Sequence, residues 1–329
     1  MNKKFLLLIL LILPLLSIQA NEKVKTTLSC QIYDYRGEMI YYDCVQTPFI
    51  RAEFHNNPGE SHVYEFETDD IVTLIVNGRE QFVMQPGDSL HATIRYGENG
   101  RPEDVKLKLS GSERAVKQNN LRRDLKQIQL SMRYKTQLLA CIAIGTKPAD
   151  RFRESQTFWE KANKLIKLES SHCSADFLNY LYAEYEAIVY GSYIEYPPLY
   201  ADTRHVPIEK QGIGDYWNII NDYQPRADLA SLRCIPYSEF LILYCFYKRT
   251  KEAHAAGKTY TRPNSLEGLY KELSTFFDGN QRDATLFLIL SNYIRNGKEI
   301  EKVEPYLKEY KEKYNLNKEY AAILDSLMQ

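Results

Sequence analysis

Six cysteines and six histidines are the side chains of this 329-residue sequence best equipped for chemistry. Disulfide exchange needs a thiolate of low pKa with a resolving thiol beside it, which Cys-x-x-Cys spacing supplies most simply. The cysteines stand at 30, 44, 141, 173, 234 and 245, and no two are so spaced. His172-Cys173 sets a base beside a thiol, but chain neighbours usually point apart, and catalytic Cys-His pairs converge from separate elements. The histidines, at 55, 62, 91, 172, 205 and 254, show no His-x-x-x-His spacing, so no metal site is expected. Gly212-Ile-Gly214 lacks the third glycine of a dinucleotide loop, and phosphate-loop and Gly-x-Ser-x-Gly motifs are absent. No cofactor is expected. Asp69-Asp70 and Glu103-Asp104 are the adjacent carboxylates to weigh as an acid pair, and at strand ends they read as solvated turn residues.

Positioning elements follow from the pattern. Lys3 and Lys4 precede an apolar run, Phe5 to Leu16, and Ala20 offers a cleavage site, so residues 1–20 read as a signal peptide. A retained N-terminal anchor is the rival reading, because Ile18 is bulky for such a site. Export to the periplasm or cell envelope is expected, with no transmembrane segment in the mature chain. The net charge is −1 without a dominant Lys/Arg block, which argues against a nucleic-acid partner.

Residues 21–111 alternate with a period of two between turn signals, predicting a small antiparallel β-sandwich or barrel. Asn77-Gly78 predicts a hairpin pairing Val76 with Arg79, Thr73 with Phe82 and Ile71 with Met84. Pro86-Gly87-Asp88 specifies a tight turn through fixed φ, permitted positive φ and a side-chain bond to the backbone. If Arg36, Gly37 and Glu38 close a hairpin loop, Cys30 lies opposite Cys44 and a disulfide can join them; a slip of one residue parts them. His62 and His91 read as outward-facing.

From 112 to 329 the period becomes about 3.6, predicting an all-α antiparallel helical domain and so an α+β fold. Ser110 with Glu113, or Ser112 alone, caps a first helix running to near Gly145. Helices follow over Pro148–Ser170, Ala175–Tyr190, Tyr216–Tyr223 and Tyr237–Ala256, then to Phe277, over Arg282–Asn296, and through two more to Met328. Residues 191–214 lack either period, and long loops of that kind are often functional. Within them Tyr193, Tyr196 and Tyr200 are the expected contact surface, in a chain with 26 tyrosines.

Phe82-Val-Met-Gln-Pro-Gly-Asp-Ser-Leu, then Leu109-Ser-Gly-Ser-Glu-Arg-Ala with Asn119 and Asn120, resembles the N-terminal region of envelope thiol-disulfide oxidoreductases of the TlpA-like thioredoxin family. Phe276-Phe-Asp-Gly-Asn-Gln-Arg-Asp and Asn317-Lys-Glu-Tyr are similar to the end of the helical segment that leads to their thioredoxin domain. The resemblance covers about 22–329. It implies a β domain and a helical segment without the Trp-Cys-x-x-Cys site, since this sequence has no Cys-x-x-Cys. The expected function is a non-catalytic exported module that binds a protein, peptide or glycan in the envelope. The alternative is a redox accessory or divergent enzyme using isolated cysteines or scattered carboxylates.

Overall fold

The computed structural model describes residues 22–97, 105–297 and 300–329. The leader at 1–20 and the Glu103-Asp104 pair lie outside the described residues. Eight strands are described: β1 (Val24–Tyr33), β2 (Met39–Cys44), β3 (Arg51–His55), β4 (Ser61–Thr68), β5 (Val72–Val76), β6 (Glu80–Met84), β7 (Ser89–Arg95) and β8 (Lys106–Gly111). They form two four-stranded sheets, ordered β4-β1-β7-β8 and β3-β2-β5-β6. One apolar cluster draws on both sheets, with Leu28 and Ile32 from β1 and Leu90 and Ile94 from β7 meeting Ile40, Leu74 and Phe82 of the second sheet. The β region is therefore a sandwich. It departs from the antiparallel expectation at one place, where β1 and β7 run parallel. No hairpin can join parallel neighbours, and here the intervening chain passes through the other sheet.

The Asn77-Gly78 turn forms with both residues at positive φ, 52° and 66°, and Arg79 N donates to Val76 O at 3.0 Å. The pairing beyond it is shifted by one residue from expectation: Val76 faces Glu80, Thr73 faces Val83 and Val72 faces Met84. Arg79 stays in the turn, and this extra residue changes which side chains share a face. Leu74 and Phe82 enter the sandwich core, whereas Ile71 and Val83 join the core of the helices.

The helices are α1 (Glu113–Ser131), α2 (Leu138–Ala143), α3 (Pro148–Glu169), α4 (Ala175–Arg204), α5 (Leu229–Leu232), α6 (Ile235–Ala255), α7 (Leu266–Phe276), α8 (Gly279–Asn296), α9 (Ile300–Lys313) and α10 (Lys318–Leu327). Leu121, Phe158, Phe177, Tyr237, Leu286, Tyr310 and Ile323 belong to one core that runs through this domain. No described helix is long and apolar enough to cross a membrane. Ser174 caps α4 by accepting from Phe177 N at 3.1 Å, and Gly297 ends α8 at φ 63°, as their residue types dictate.

Three helical expectations change. The first helix stops at Ser131, because Arg133 turns left-handed at φ 54° and Tyr134 N bonds back to Gln129 O at 3.0 Å. Tyr216–Tyr223 holds only a 3₁₀ turn at Tyr216–Asn218. Most consequentially, α4 does not end at Tyr190 but continues through Pro197 and Pro198 to Arg204. A proline inside a helix strips a carbonyl four residues earlier of its donor, at a cost of about 3 kcal/mol. Here the Tyr216 hydroxyl donates to the carbonyl of Ile194, the one that Pro198 leaves bare. Gln211 Nε2 holds the Pro197 carbonyl at 2.9 Å.

The β region and the helical region are joined by side chains around β5, β6 and the turn that follows β6. Asn119 Oδ1 accepts from Val83 N at 2.9 Å, and its Nδ2 donates to Val83 O at 2.9 Å. Arg114 reaches the buried Asp88 carboxylate at 2.7 Å, while Asp88 also accepts from Gln85 N at 2.8 Å. Thr73 and Tyr180 share a hydroxyl hydrogen bond at 2.8 Å. Arg233, buried, pairs with Glu319 and donates to Ile71 O. The segments 82–90 and 109–120 thus bond to one another. The segments 276–283 and 317–320 do so as well, since the Asp283 carboxylate accepts from Asn317 N at 2.8 Å.

Candidate functional site

Cys30 and Cys44 do not face one another. Cys30 on β1 lies between His62 and Ala92 of its neighbours, whereas Cys44 on β2 pairs with Leu74 in the other sheet. Residues 34–38 carry the chain across the sandwich instead of closing a hairpin, so the expected bridge is absent and both are free thiols. Burial is the leading cause that raises the pKa of each cysteine: Cys30 and Cys245 to about 12, Cys173 to about 11, and Cys44, Cys141 and Cys234 above their ordinary value. Thiols so placed are weak nucleophiles at neutral pH. His172 faces Lys117 Nζ at 3.1 Å.

The tyrosine trio also changes meaning. Because α4 is continuous, Tyr193 and Tyr196 are buried, at 7% and 0% exposed. Tyr193 packs edge-on against Phe152 of α3, and the Tyr196 hydroxyl donates to Thr146 O at 2.8 Å. Only Tyr200 keeps a partly open ring, 6.1 Å from that of Tyr196. These rings lock α4 to its neighbours; they do not form a shared outer surface. His62, expected outward, is buried against Phe54, since it shares the inner face of β4 with Tyr64 and Phe66. His91 accepts or donates at Ser29 Oγ, 2.8 Å away. Among the described residues no cluster of histidine, cysteine or carboxylate could hold a metal ion.

What sequence reasoning missed lies on the continued half of α4. A cleft of about 320 Å³ opens between α2, α4 and α6, near the lower end of the roughly 300–1,000 Å³ typical of ligand sites. Ile188, Ser192 and Glu195 present one face of α4, and Glu239, Phe240 and Leu243 one face of α6, each set at helical spacing. Leu138 of α2 closes the third side. The Glu195 carboxyl is half-buried and Glu239 stands at the open rim. Burial, then the neighbouring Glu239, pushes the pKa of Glu195 up, with Arg262 opposing; burial does the same to Glu239. Among the described residues neither carboxylate has a hydrogen-bond or ion-pair partner. Behind the cleft, fully buried Arg151 donates from Nε to Ser192 Oγ at 2.7 Å and lies 3.9 Å over the Tyr134 ring. A partnerless carboxylate in apolar surroundings favours a proton or a cation.

The sign of this effect is testable. A carboxyl with a raised folded pKa weakens the fold as pH climbs from its ordinary 4.5 through the folded value. Glu195→Gln is therefore expected to gain stability over the native protein in that window, with no difference below it. Urea unfolding across a pH series reads this directly, and equal pH dependence in both proteins contradicts it.

Gly191 forms part of the cleft wall in mid-helix. A Cβ there would meet only Phe240 Cδ2 at 3.8 Å, an ordinary contact. Neither backbone conformation nor crowding requires glycine, so Gly191→Ala is expected to stabilise the protein by about 0.5–1 kcal/mol. Thermal and urea unfolding measure it, and a loss of stability contradicts the reading. No family model, curated protein or solved structure matches the chain.

Proposed function

We propose that this protein is a non-catalytic binding module of the cell envelope, a β-sandwich fixed to a helical domain whose cleft between α2, α4 and α6 receives a partner. The observation that carries the reading is the pair of carboxylates, Glu195 and Glu239, that make no hydrogen bond or ion pair among the described residues, in an apolar cleft with a glycine in its helical wall. Functional sites commonly hold such locally unfavourable groups. Export rests on the basic start and apolar run at Lys3 to Leu16. The junction formed by the Pro86-Gly87-Asp88 turn, Arg114 and Asn119 supports a relation to the module that precedes the thioredoxin domain in TlpA-like oxidoreductases.

One observation favours a second reading. A carboxylate whose pKa is raised by a second one across a cleft is also the equipment of acid–base hydrolysis. Binding is preferred because Glu239 lies open to water at the rim, where neither water exclusion nor tight positioning assists chemistry. The redox alternative fares worse, since burial holds all six thiols in their protonated form.

A photo-crosslinking residue placed in cells at Leu243, inside the cleft, is compared with one at Leu168, 73% exposed on α3. The expected result is an envelope-fraction protein with an adduct specific to Leu243. Identical adducts from both positions, or a protein confined to the cytosol, overturn the proposal.

A further inference from the structure

The cleft has a chemical preference that follows from its own walls. Ile188, Phe240 and Leu243 offer apolar surface, and Glu195 and Glu239 put two carboxylates at the same opening. Among the described residues the cation that acts on Glu195 is Arg262, which is exposed, forms no ion pair with it and instead stacks over Phe246 at 5.6 Å. The complement to such a cleft is an aliphatic stem ending in a cation, with the stem against the apolar wall and the charge between the carboxylates. A second observation bears on what carries that cation. Beside Leu138, Leu139 on α2 and Ile144 just past its end are 62% and 67% exposed, apolar surface that a free amine filling the cleft would leave in water. A polypeptide whose flanking residues lie across α2 covers it.

From these placements we infer that the cleft receives a lysine side chain of a partner polypeptide, whose neighbouring apolar residues cover Leu139 and Ile144. This deepens the binding-module reading and rests on it. Lysine suits a single narrow opening because its charge is compact and its stem flexible. The ammonium supplies the ion pair that Glu195 lacks among the described residues.

The probes are acetyl-Leu-Lys-Leu-amide, the same peptide with norleucine in place of lysine, and n-butylamine, titrated by calorimetry into the full chain. The lysine peptide is expected to bind saturably and to weaken as salt is raised. Substituting norleucine, or Glu195→Gln in the protein, is expected to weaken it about tenfold, near 1.4 kcal/mol. A Leu139→Ser/Ile144→Ser protein is expected to lose affinity for the peptide several-fold while holding n-butylamine unchanged. Unfolding transitions confirm that each variant is folded, and Glu239→Gln carries the same expectation should Glu195→Gln fail to fold. Equal binding of the lysine and norleucine peptides overturns the inference. So does n-butylamine binding as tightly as the peptide, which marks a free-amine site. A Leu243 photo-adduct that persists while the lysine series shows no preference leaves the cleft as the binding face and removes lysine as its ligand.

Discussion

Gly111→Ala is expected to destabilise the protein by about 3–5 kcal/mol, because among the described glycines an added methyl group clashes most closely here. Gly111 ends β8 opposite Leu90 and has φ +130°, a conformation L-residues rarely adopt. A Cβ there would sit 2.2 Å from the Ser89 carbonyl oxygen and 3.1 Å from Leu90 Cα. Those are backbone atoms of a paired strand, and Ser89 O is already held by Ser112 N at 2.8 Å. The neighbour has nowhere to move, so β7 and β8 must part or the helical domain must shift. Urea unfolding followed by far-UV circular dichroism measures the loss; a change under about 1 kcal/mol contradicts the geometry.

The second large effect lies at Asn119. β6 is an outer strand of its sheet, and an open edge exposes backbone donors and acceptors that invite mispairing. Asn119 occupies that edge as a one-residue strand, bonding both Val83 N and Val83 O, with its Nδ2 also donating to Ala115 O at 2.9 Å. Asn119→Leu keeps the approximate volume but strands two buried backbone groups, each worth about 1–3 kcal/mol. The expected loss is about 2–5 kcal/mol. Asn119→Asp keeps the acceptor for Val83 N and loses the donor to Val83 O, placing a charge near a carbonyl, so it is expected to be no better tolerated. Unfolding free energies and amide exchange at Val83 test this together. A protected Val83 amide in Asn119→Leu contradicts the clamp.

Much of the architecture was legible because it depends on local periodicity. Strands from Val24 to Gly111 and helices from Glu113 onward fall where alternation gives way to a 3.6 period. Failures share one physical origin: partners distant in sequence override a local signal. The hairpin joining Cys30 to Cys44 was reasonable from spacing, yet β1 finds β4 and β7 at its two edges, leaving no place for β2. The Asn77-Gly78 turn was readable, but the spare residue at Arg79 that set its register was not.

Pro197-Pro198 reads as the end of a helix unless one knows that the Tyr216 hydroxyl takes over the Ile194 carbonyl. That mistake hid the site as well. With α4 cut at Tyr190, Glu195 had no helix face to share with Ile188 and Ser192, and nothing aligned it with Glu239 of α6. It also turned Tyr193 and Tyr196 into apparent surface residues, when helical geometry directs them into the core. A signal was available in hindsight: Ile188, Ser192 and Glu195 keep helical spacing across Gly191, whose φ is not positive. The segments 82–90, 109–120, 276–283 and 317–320 stand out in the sequence, but their bonding, Val83 to Asn119 and Asp283 to Asn317, emerges only in three dimensions.

Glu195 is expected to hold a partner's cation without chemical change. Carbon-13 NMR of the side-chain carboxyl of Glu195, followed against pH with and without saturating acetyl-Leu-Lys-Leu-amide, addresses that most directly. Free protein is expected to titrate Glu195 above its ordinary 4.5, the bound peptide is expected to lower that value, and the peptide is expected to return intact after prolonged incubation. A Glu195 resonance indifferent to the peptide, or peptide consumed with saturable turnover that Glu195→Gln abolishes, contradicts it.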